Sequence, residues 1–558
     1  QNAHDSCIRR QLEDPGFDSP CIRVSCDPQR KQLMIDDNGA GLTRQEIVDY
    51  LATVGRGYTS KLRQQGGPDN LIGAFGLGFL SAYFVARLVE LRTASYQEPE
   101  TAWHFSSKGS ERFQIGASEA RPVGTRVQLH LNDDSHDLAD RECLLSLLRD
   151  YCGLLKIPVW LNDTPINLAV PWRQPDPNPL RQRHAELEFA RQFERRFRPL
   201  CTIPIRPGGL QGLLWIQDGW SYGTSDRRNL SIYVRGMLIS HDVRELLPEW
   251  AGFIGGVVES DQLTPTASRE DLQRDAHWKA ALSQLRESLV SGLSQLAERH
   301  PESWQQVLLR HGEALLGAAL CEPDLFTWLS NQLRIPTSEG DLTAPVIVQR
   351  SAGKIFVSMG EQGGYEEVLF RAMRQPVVAG VRYGALAFCS LYAERCGGQL
   401  VKLGTQEGNR SLFPAAQLPP EQEARLQELL GVPGQQVVVA RFQPPALPLV
   451  LVPDREVALK QRLARNEEKN PLNSKLLSLV TLYTNQVDER VQARLYVNAD
   501  CPLVSKLLAT APEKQPHLAL LLRSVGELMS SRSDEAVGID MGSTLANLAA
   551  ALQELLDR

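Results

Sequence analysis

Two glycine-rich blocks hold most of the chemistry in this chain. Asp36-Asp37-Asn38-Gly39-Ala40-Gly41 sets a carboxylate in a D-x-G-x-G frame, where it can accept a hydrogen bond from an exocyclic amine. Ile72-Gly73-Ala74-Phe75-Gly76-Leu77-Gly78-Phe79 spaces three glycines as G-x-x-G-x-G. A backbone turn of that kind can approach phosphate oxygens where a Cβ would collide. One block suits a purine ring and the other a polyphosphate, so together they describe a nucleotide pocket. Asn2-Ala3-His4-Asp5 opens the chain as N-x-x-D, placed for a helix that completes the pocket, and Gly124-Thr125 adds a hydroxyl. No G-x-x-x-x-G-K-[ST] occurs, which excludes a P-loop.

These residues need a sheet and helices to bring them together. Ile22, Val24 and Cys26 alternate, Asp27-Pro28 turns, and Gln32 to Asp36 returns as a second strand. Thr43 to Leu51 reads as a helix capped by Thr43, with Glu46 three residues on. Gly55 to Asn70 has few apolar residues and is expected to be mobile. Val127, Leu129 and Leu131 alternate as another strand after Gly124-Thr125. Pro171 to Pro179 marks a first domain boundary, followed by a helix over Ala185–Phe197 and strands that include Leu230 to Ile239. Leu282, Leu285, Leu289, Leu293 and Leu296 then stripe a long amphipathic helix, and a second α/β unit runs from Ile335 to Leu403. Near the end, Leu518, Leu522, Val525 and Leu528 stripe one helix and Leu545, Leu548, Leu552 and Leu555 another. Both stripes suit a core or a subunit interface.

In their order the N-x-x-D, D-x-G-x-G, G-x-x-G-x-G and Gly-Thr elements resemble the Bergerat ATP-binding fold. That fold is shared by DNA gyrase, MutL-type repair proteins, histidine kinases and the 90-kDa heat-shock chaperones. The resemblance implies that Asp37 holds the adenine amine with Thr125 in support, and that Asn2 offers its carbonyl to Mg²⁺ bridging the phosphates. Gly73, Gly76 and Gly78 would approach those phosphates, amides near Phe79 would donate to them, and Arg56 would neutralise their charge. Asp5, Gly39, Gly41 and Leu42 complete the expected lining.

Downstream, Gly255-Gly256-Val257-Val258-Glu259-Ser260-Asp261-Gln262-Leu263, then Ser268-Arg269-Glu270 and Gln273, resemble the middle-domain signature of the 90-kDa heat-shock chaperones. Ile232-Tyr233-Val234-Arg235-Gly236 and Leu246-Leu247-Pro248-Glu249-Trp250 fit the same family, and Pro336 to Gly340 and Asn498 to Val504 do so more loosely. The likeness implies a catalytic role for Arg269, which would reach the γ-phosphate, with Gln273 one helical turn later beside it. A guanidinium presents a rigid fork of donors matched to phosphate oxygens.

It further implies an α+β multidomain chain. The expected parts are an N-terminal Bergerat-fold ATP-binding domain over 1–170, an α/β middle domain over 171–405 and a helical C-terminal dimerisation domain over 406–558. The expected function is that of a cytoplasmic, HtpG-like, ATP-dependent chaperone: a homodimeric clamp that closes on ATP with Mg²⁺ and assists client proteins. The alternative is a MutL- or gyrase-like ATP-gated DNA clamp. Departures matter too. Tyr50 stands where many members have asparagine, and Thr264 and Thr266 interrupt the usual D-L-P-L-N run. The family's catalytic glutamate would fall four positions before Asn2, ahead of Gln1, so the chain as given is expected to bind ATP weakly and hydrolyse it negligibly.

Composition agrees with an ordinary globular protein. The 558 residues are 42% hydrophobic and 23% charged, and the net charge of −6 with no basic block advertises no nucleic-acid partner. No apolar run approaches the ~18 residues that span a bilayer. Ten cysteines without a C-x-x-C pair read as reduced thiols of a cytosolic protein.

Overall fold

The computed structural model describes residues 1–51, 72, 79–109, 112–222, 225–266, 270–359, 365–454, 457, 491–530 and 540–556. Contacts divide the chain into two compact units. One comprises 1–220 with 225–310, the other 221–224 with 311–558. As expected, the architecture is α+β with several mixed sheets.

The first unit begins with helix α1 (Asn2–Glu13) and an eight-stranded sheet. Its strands are β1 (Ile22–Asp27), β2 (Gln32–Asp37), β3 (Ala86–Ala94), β4 (Ala102–Ser107), β5 (Phe113–Ala117), β6 (Gly124–Leu131), β7 (Val159–Leu161) and β8 (Thr164–Pro165). They lie in the order β5-β4-β3-β6-β2-β1-β7-β8, antiparallel except for the β1–β7 pair. Alternation makes one face apolar: Ile22, Val24, Leu33, Val89, Leu129 and Leu131 are buried there with Cys7 of α1. Helix α2 (Arg44–Tyr50) lays Ile47 beside Leu91 and Phe105. Its start is the expected capping box, Thr43 accepting from the Glu46 amide while the Glu46 carboxylate accepts from the Thr43 amide. The opposite face is polar. His130 bonds Glu90 at 2.7 Å and Gln32 at 3.2 Å, and His104 approaches the same Glu90 at 3.4 Å. The His130 contact holds the Glu90 carboxyl below its usual range.

The same unit contains a second sheet of β9 (Pro199–Pro204), β10 (Gln211–Gln217), β11 (Asn229–Val234), β12 (Met237–Ser240) and β13 (Ile254–Ser260), ordered β12-β11-β13-β10-β9. Gly212 to Gln217 are all buried, the pattern of a strand covered on both sides. Phe189, from the helix Pro179–Phe193, packs with Leu213, Trp215, Tyr233 and Val257. Gly292, from the helix Ala276–Arg299, sits so close to Ile203 that a Cβ would fall 2.2 Å from its Cγ2.

Two boundaries differ from the sequence expectation. The helix expected over Ala185–Phe197 begins instead after Asn178, whose side chain accepts from the Leu180 amide at 2.9 Å. It stops at Glu194, because that buried carboxylate takes the Arg196 and Phe197 amides together with the Trp215 indole. The strand expected over Leu230–Ile239 splits into β11 and β12. Arg235 and Gly236, with φ of 55° and 80°, form the tight turn between them.

The segment after Pro171 is fixed to this second sheet. Glu259 of β13, only 8% exposed, accepts from Trp172 Nε1 at 2.7 Å, from Arg173 Nε at 3.0 Å and from Arg173 Nη2. Arg173 Nη2 also reaches the Leu154 carbonyl at 2.6 Å.

In the second unit, β14 (Arg334–Thr337), β15 (Gly340–Thr343), β16 (Lys354–Ser358), β17 (Val377–Ala379) and β18 (Gln399–Leu403) form the expected α/β layer, ordered β15-β14-β17-β16-β18. Beyond it, β19 (Gln435–Ala440), β20 (Leu449–Pro453) and β21 (Ala493–Asn498) give the C-terminal part a small sheet in addition to its helices. The helix Gln515–Ser530 buries Ala519, Arg523, Gly526 and Ser530, the small residues allowing close approach to β20. A core role for the expected leucine stripes is therefore not realised in full. Leu518 and Leu522 are partly covered and Val525 is exposed. In the helix Met541–Leu556, Thr544 and Ala551 are buried, whereas Leu545 is 50% and Leu552 45% exposed.

A candidate nucleotide site

Asp37 closes β2, pairing in register with Thr125 of β6, which pairs with Thr93 of β3. The apolar face of the sheet thus ends in a polar row. Thr93 Oγ1 meets Thr125 Oγ1 at 3.0 Å, reaches the Gly124 carbonyl at 3.1 Å and accepts from the Leu42 amide at 2.9 Å. Asp37 is 7% exposed. Its Oδ1 accepts from the Gly39 amide at 2.9 Å and from the Ser6 hydroxyl at 3.2 Å, and Oδ2 takes no hydrogen bond from any described residue.

The loop after Asp37 is stitched to α1 and its surroundings. The Ala40 amide donates to the Ser6 carbonyl at 3.0 Å, and Arg10 Nη1 donates to the Asn38 carbonyl at 2.9 Å. Asn38 Oδ1 accepts from the Cys21 amide at 2.7 Å. The glycines of the motif have a steric reason. A Cβ at Gly39 would lie 2.4 Å from Ser6 Oγ. At Gly41, where φ is +66°, it would lie 1.9 Å from the Ala94 carbonyl oxygen. Gly41→Ala is therefore expected to destabilise the protein by about 3 kcal/mol or more, since the obstacle is β3 backbone and the left-handed φ adds strain. A urea-unfolding midpoint equal to that of the parent would contradict this.

The two adjacent aspartates divide their work by strand alternation. Asp36 points away from α1 and is held by Arg121 Nη2 at 3.0 Å and Arg126 Nε at 3.0 Å. Asp37 points inward, and burial pushes its carboxyl up to about 7, with Asp36 adding to the rise. The Gly39 amide, the Ser6 hydroxyl and the Arg121 charge act against that rise.

Other expected residues are placed as follows. Asp5 is buried on α1, accepting from the Ile72 amide at 2.7 Å and lying 3.2 Å from His4 Nδ1, so it ties the head of the second glycine block to α1. Asn2 is exposed at the start of α1. Phe79 makes edge contacts with Tyr83 and Phe105, so its ring belongs to the packing. Gln273 requires a correction. It does not lie on a helix but on a small hairpin, where Pro265 bridges Leu272 and the Gln273 amide donates to the Thr264 carbonyl at 2.8 Å. The antiparallel bridge, not a helical turn, sets its position. Arg56, Gly73, Gly76, Gly78, Arg269 and the Gly55–Asn70 stretch lie outside the described residues, apart from the hairpin ends that flank Arg269.

Sequence reasoning missed Ser6 and Thr93. The one available signal was Thr93 itself, a hydroxyl following Val89 and Leu91 on the inward positions of a strand. Among the described residues no cluster of three or more His, Cys, Asp or Glu side chains could hold a metal ion, and no helix is long and apolar enough to cross a membrane.

Comparison with known proteins agrees with the motif reading. A model of the family described as Hsp90 protein matches residues 217–339. The chaperone protein HtpG of Nitrobacter winogradskyi is 31% identical over 339 residues, covering 55% of this chain and 52% of the relative. HtpG of Roseobacter denitrificans is 27% identical over 62% of this chain and 58% of its own length. HtpG of Mycobacterium avium is 28% identical over 58% and 57%. The chain spans about half the length of the curated relatives it matches. On these matches, together with the D-x-G-x-G carboxylate and its sheet, the chain is related to the Hsp90 protein family and is HtpG-like.

Proposed function

We propose that this protein is an ATP-dependent molecular chaperone whose dimeric clamp closes on nucleotide and reopens on hydrolysis. The observation that carries the reading is the buried Asp37 carboxylate, with one oxygen fixed and the other not bonded by any described residue. Such an acceptor suits the exocyclic amine of adenine. The relation to HtpG chaperones favours this reading over an ATP-gated DNA clamp.

The donor set fits ATP with Mg²⁺. Gly39 and Gly41 let the loop after Asp37 close against α1 and β3, Thr93 and Thr125 support the base side, and Asn2 offers a carbonyl oxygen at an accessible helix start. Bound ATP supplies a hydrolysable phosphoanhydride. The chain's own residues bind and orient: Asp37 holds the amine, and Asp5 anchors the glycine block that follows Ile72. Arg269, flanked by the hairpin that carries Gln273, compensates phosphate charge from the middle part. The divisions at 1–170, 171–405 and 406–558 belong to the same reading, as do unfolded client proteins as partners. A homodimer formed through the last two helices is supported by the exposed Leu545 and Leu552.

The test uses the full chain. It should bind ATP and slow the aggregation of a heat-denatured model enzyme, more so with ATP than without. Arg269→Ala should keep nucleotide affinity within about twofold while removing the extra aggregation suppression that ATP gives, the loss of one phosphate-directed charge. A protein that neither binds ATP nor affects aggregation would overturn the reading.

A further inference from the structure

The carboxylate at the end of β2 is held by one oxygen, and one of the two groups holding it is a side chain. Ser6 stands on α1, between the buried Asp5 and Cys7. It meets the motif loop twice, through its carbonyl, which accepts from the Ala40 amide at 3.0 Å, and through its hydroxyl, which donates to Asp37 Oδ1 at 3.2 Å. Gly39 permits this closeness, because any Cβ there would strike Ser6. The Gly39 amide converges on the same Oδ1. Two donors on one oxygen fix the carboxylate's torsion and leave Oδ2 as the acceptor for a ligand.

We propose that Ser6 is a positioning residue of the nucleotide site, pinning Asp37 Oδ1 so that Oδ2 is presented to the exocyclic amine of a purine. This role rests on the nucleotide reading above. Ala at position 6 would keep the helix but remove the hydroxyl.

A donor to the carboxylate stabilises its charged form, so the same contact governs how much of the site is ionised. Among the described residues, the charged and titratable groups around Asp37 are few. Asp36 neighbours it on β2 and is paired with Arg121 and Arg126, Arg121 comes from the segment before β6, and Cys7 and Arg10 come from α1. Burial pushes the Cys7 thiol far up, so it stays neutral across the accessible range. Arg10 is engaged by Asp14 and the Asn38 carbonyl. None of these replaces a hydroxyl lost from position 6. With the Asp37 carboxyl pushed up to about 7, the effect of Ser6 falls at neutral pH.

The experiment measures ADP binding to the full chain by calorimetry between pH 6 and pH 9, for the parent, Ser6→Ala and Asp37→Asn. Comparison at each pH cancels the titration of ADP itself. Ser6→Ala is expected to bind about fivefold more weakly at pH 7 and within about twofold of the parent at pH 9, as for a site whose ionisation midpoint moves up by about one unit. Two results overturn the proposal while leaving the nucleotide reading intact: affinity equal to the parent at every pH, or a loss of the same size at every pH, which marks a purely structural role. A parent that does not bind ADP, or an Asp37→Asn variant that binds as well as the parent, overturns both.

Discussion

Asp37→Asn should abolish nucleotide binding and yet make the empty protein more stable above neutral pH. The first effect follows from removing a charge-assisted acceptor in a buried site, a loss of at least about thirtyfold in affinity. The second follows from linkage. The carboxyl sits at about 7 in the folded chain against an ordinary value of 3.8, chiefly because it is buried. A folded state that binds its proton more tightly than the unfolded state loses stability as pH rises between those two values. At about 1.4 kcal/mol per unit, the span amounts to roughly 4 kcal/mol, fully incurred above about pH 7. Asn carries no such cost. Urea midpoints of the two proteins should therefore converge near pH 4 and separate by pH 8, with the variant ahead. Midpoints that keep the same spacing from pH 4 to pH 8 would show that Asp37 is not desolvated as described.

Arg173→Ala should destabilise the protein by about 3 kcal/mol, the scale for breaking one side of a buried ion pair. Glu259 would keep the Trp172 indole but lose both guanidinium donors. The Leu154 carbonyl would lose its partner as well. The double variant Arg173→Met, Glu259→Gln should recover about half or more of the loss, because no uncompensated charge then remains. A single variant within about 0.5 kcal/mol of the parent in urea unfolding would mean that the pair is solvated and incidental. The pair also has a positional consequence. Glu259 is the penultimate residue of β13, and the hairpin that flanks Arg269 follows directly after that strand. A change at Arg173 is thus felt on the strand that leads into that hairpin.

Much of this was legible in the sequence where local chemistry decided the outcome. The Thr43–Glu46 capping box, the β1–β2 hairpin and the glycines at 39 and 41 follow from side-chain reach and from the absence of a Cβ. What was not legible depended on partners distant along the chain. Glu194 ends its helix because Trp215 and two amides converge on its carboxylate, and no propensity near residue 194 records that. The Gln273 hairpin arises from cross-strand pairing with Thr264 and Pro265, so a helical spacing argument had no access to it. Ser6 and Thr93 are ordinary residues by type, and each gains its role only when a second element delivers Asp37 or Thr125 to it. The last two helices illustrate the opposite limit. Their leucine periodicity was plain, but periodicity does not say which face a sheet will take, and small residues won the sheet in the helix Gln515–Ser530.

The polar side of the first sheet has a colloidal consequence. Eight strands with one face packed on helices present a broad flank on which a second layer could laminate, as sheets do when their outer faces are dry and uncharged. Here the row from Gln32 through His130 and Glu90 to His104 crosses four neighbouring strands, and an incoming layer would have to strip water from a carboxylate held by two imidazoles. That dehydration cost opposes lamination on this flank.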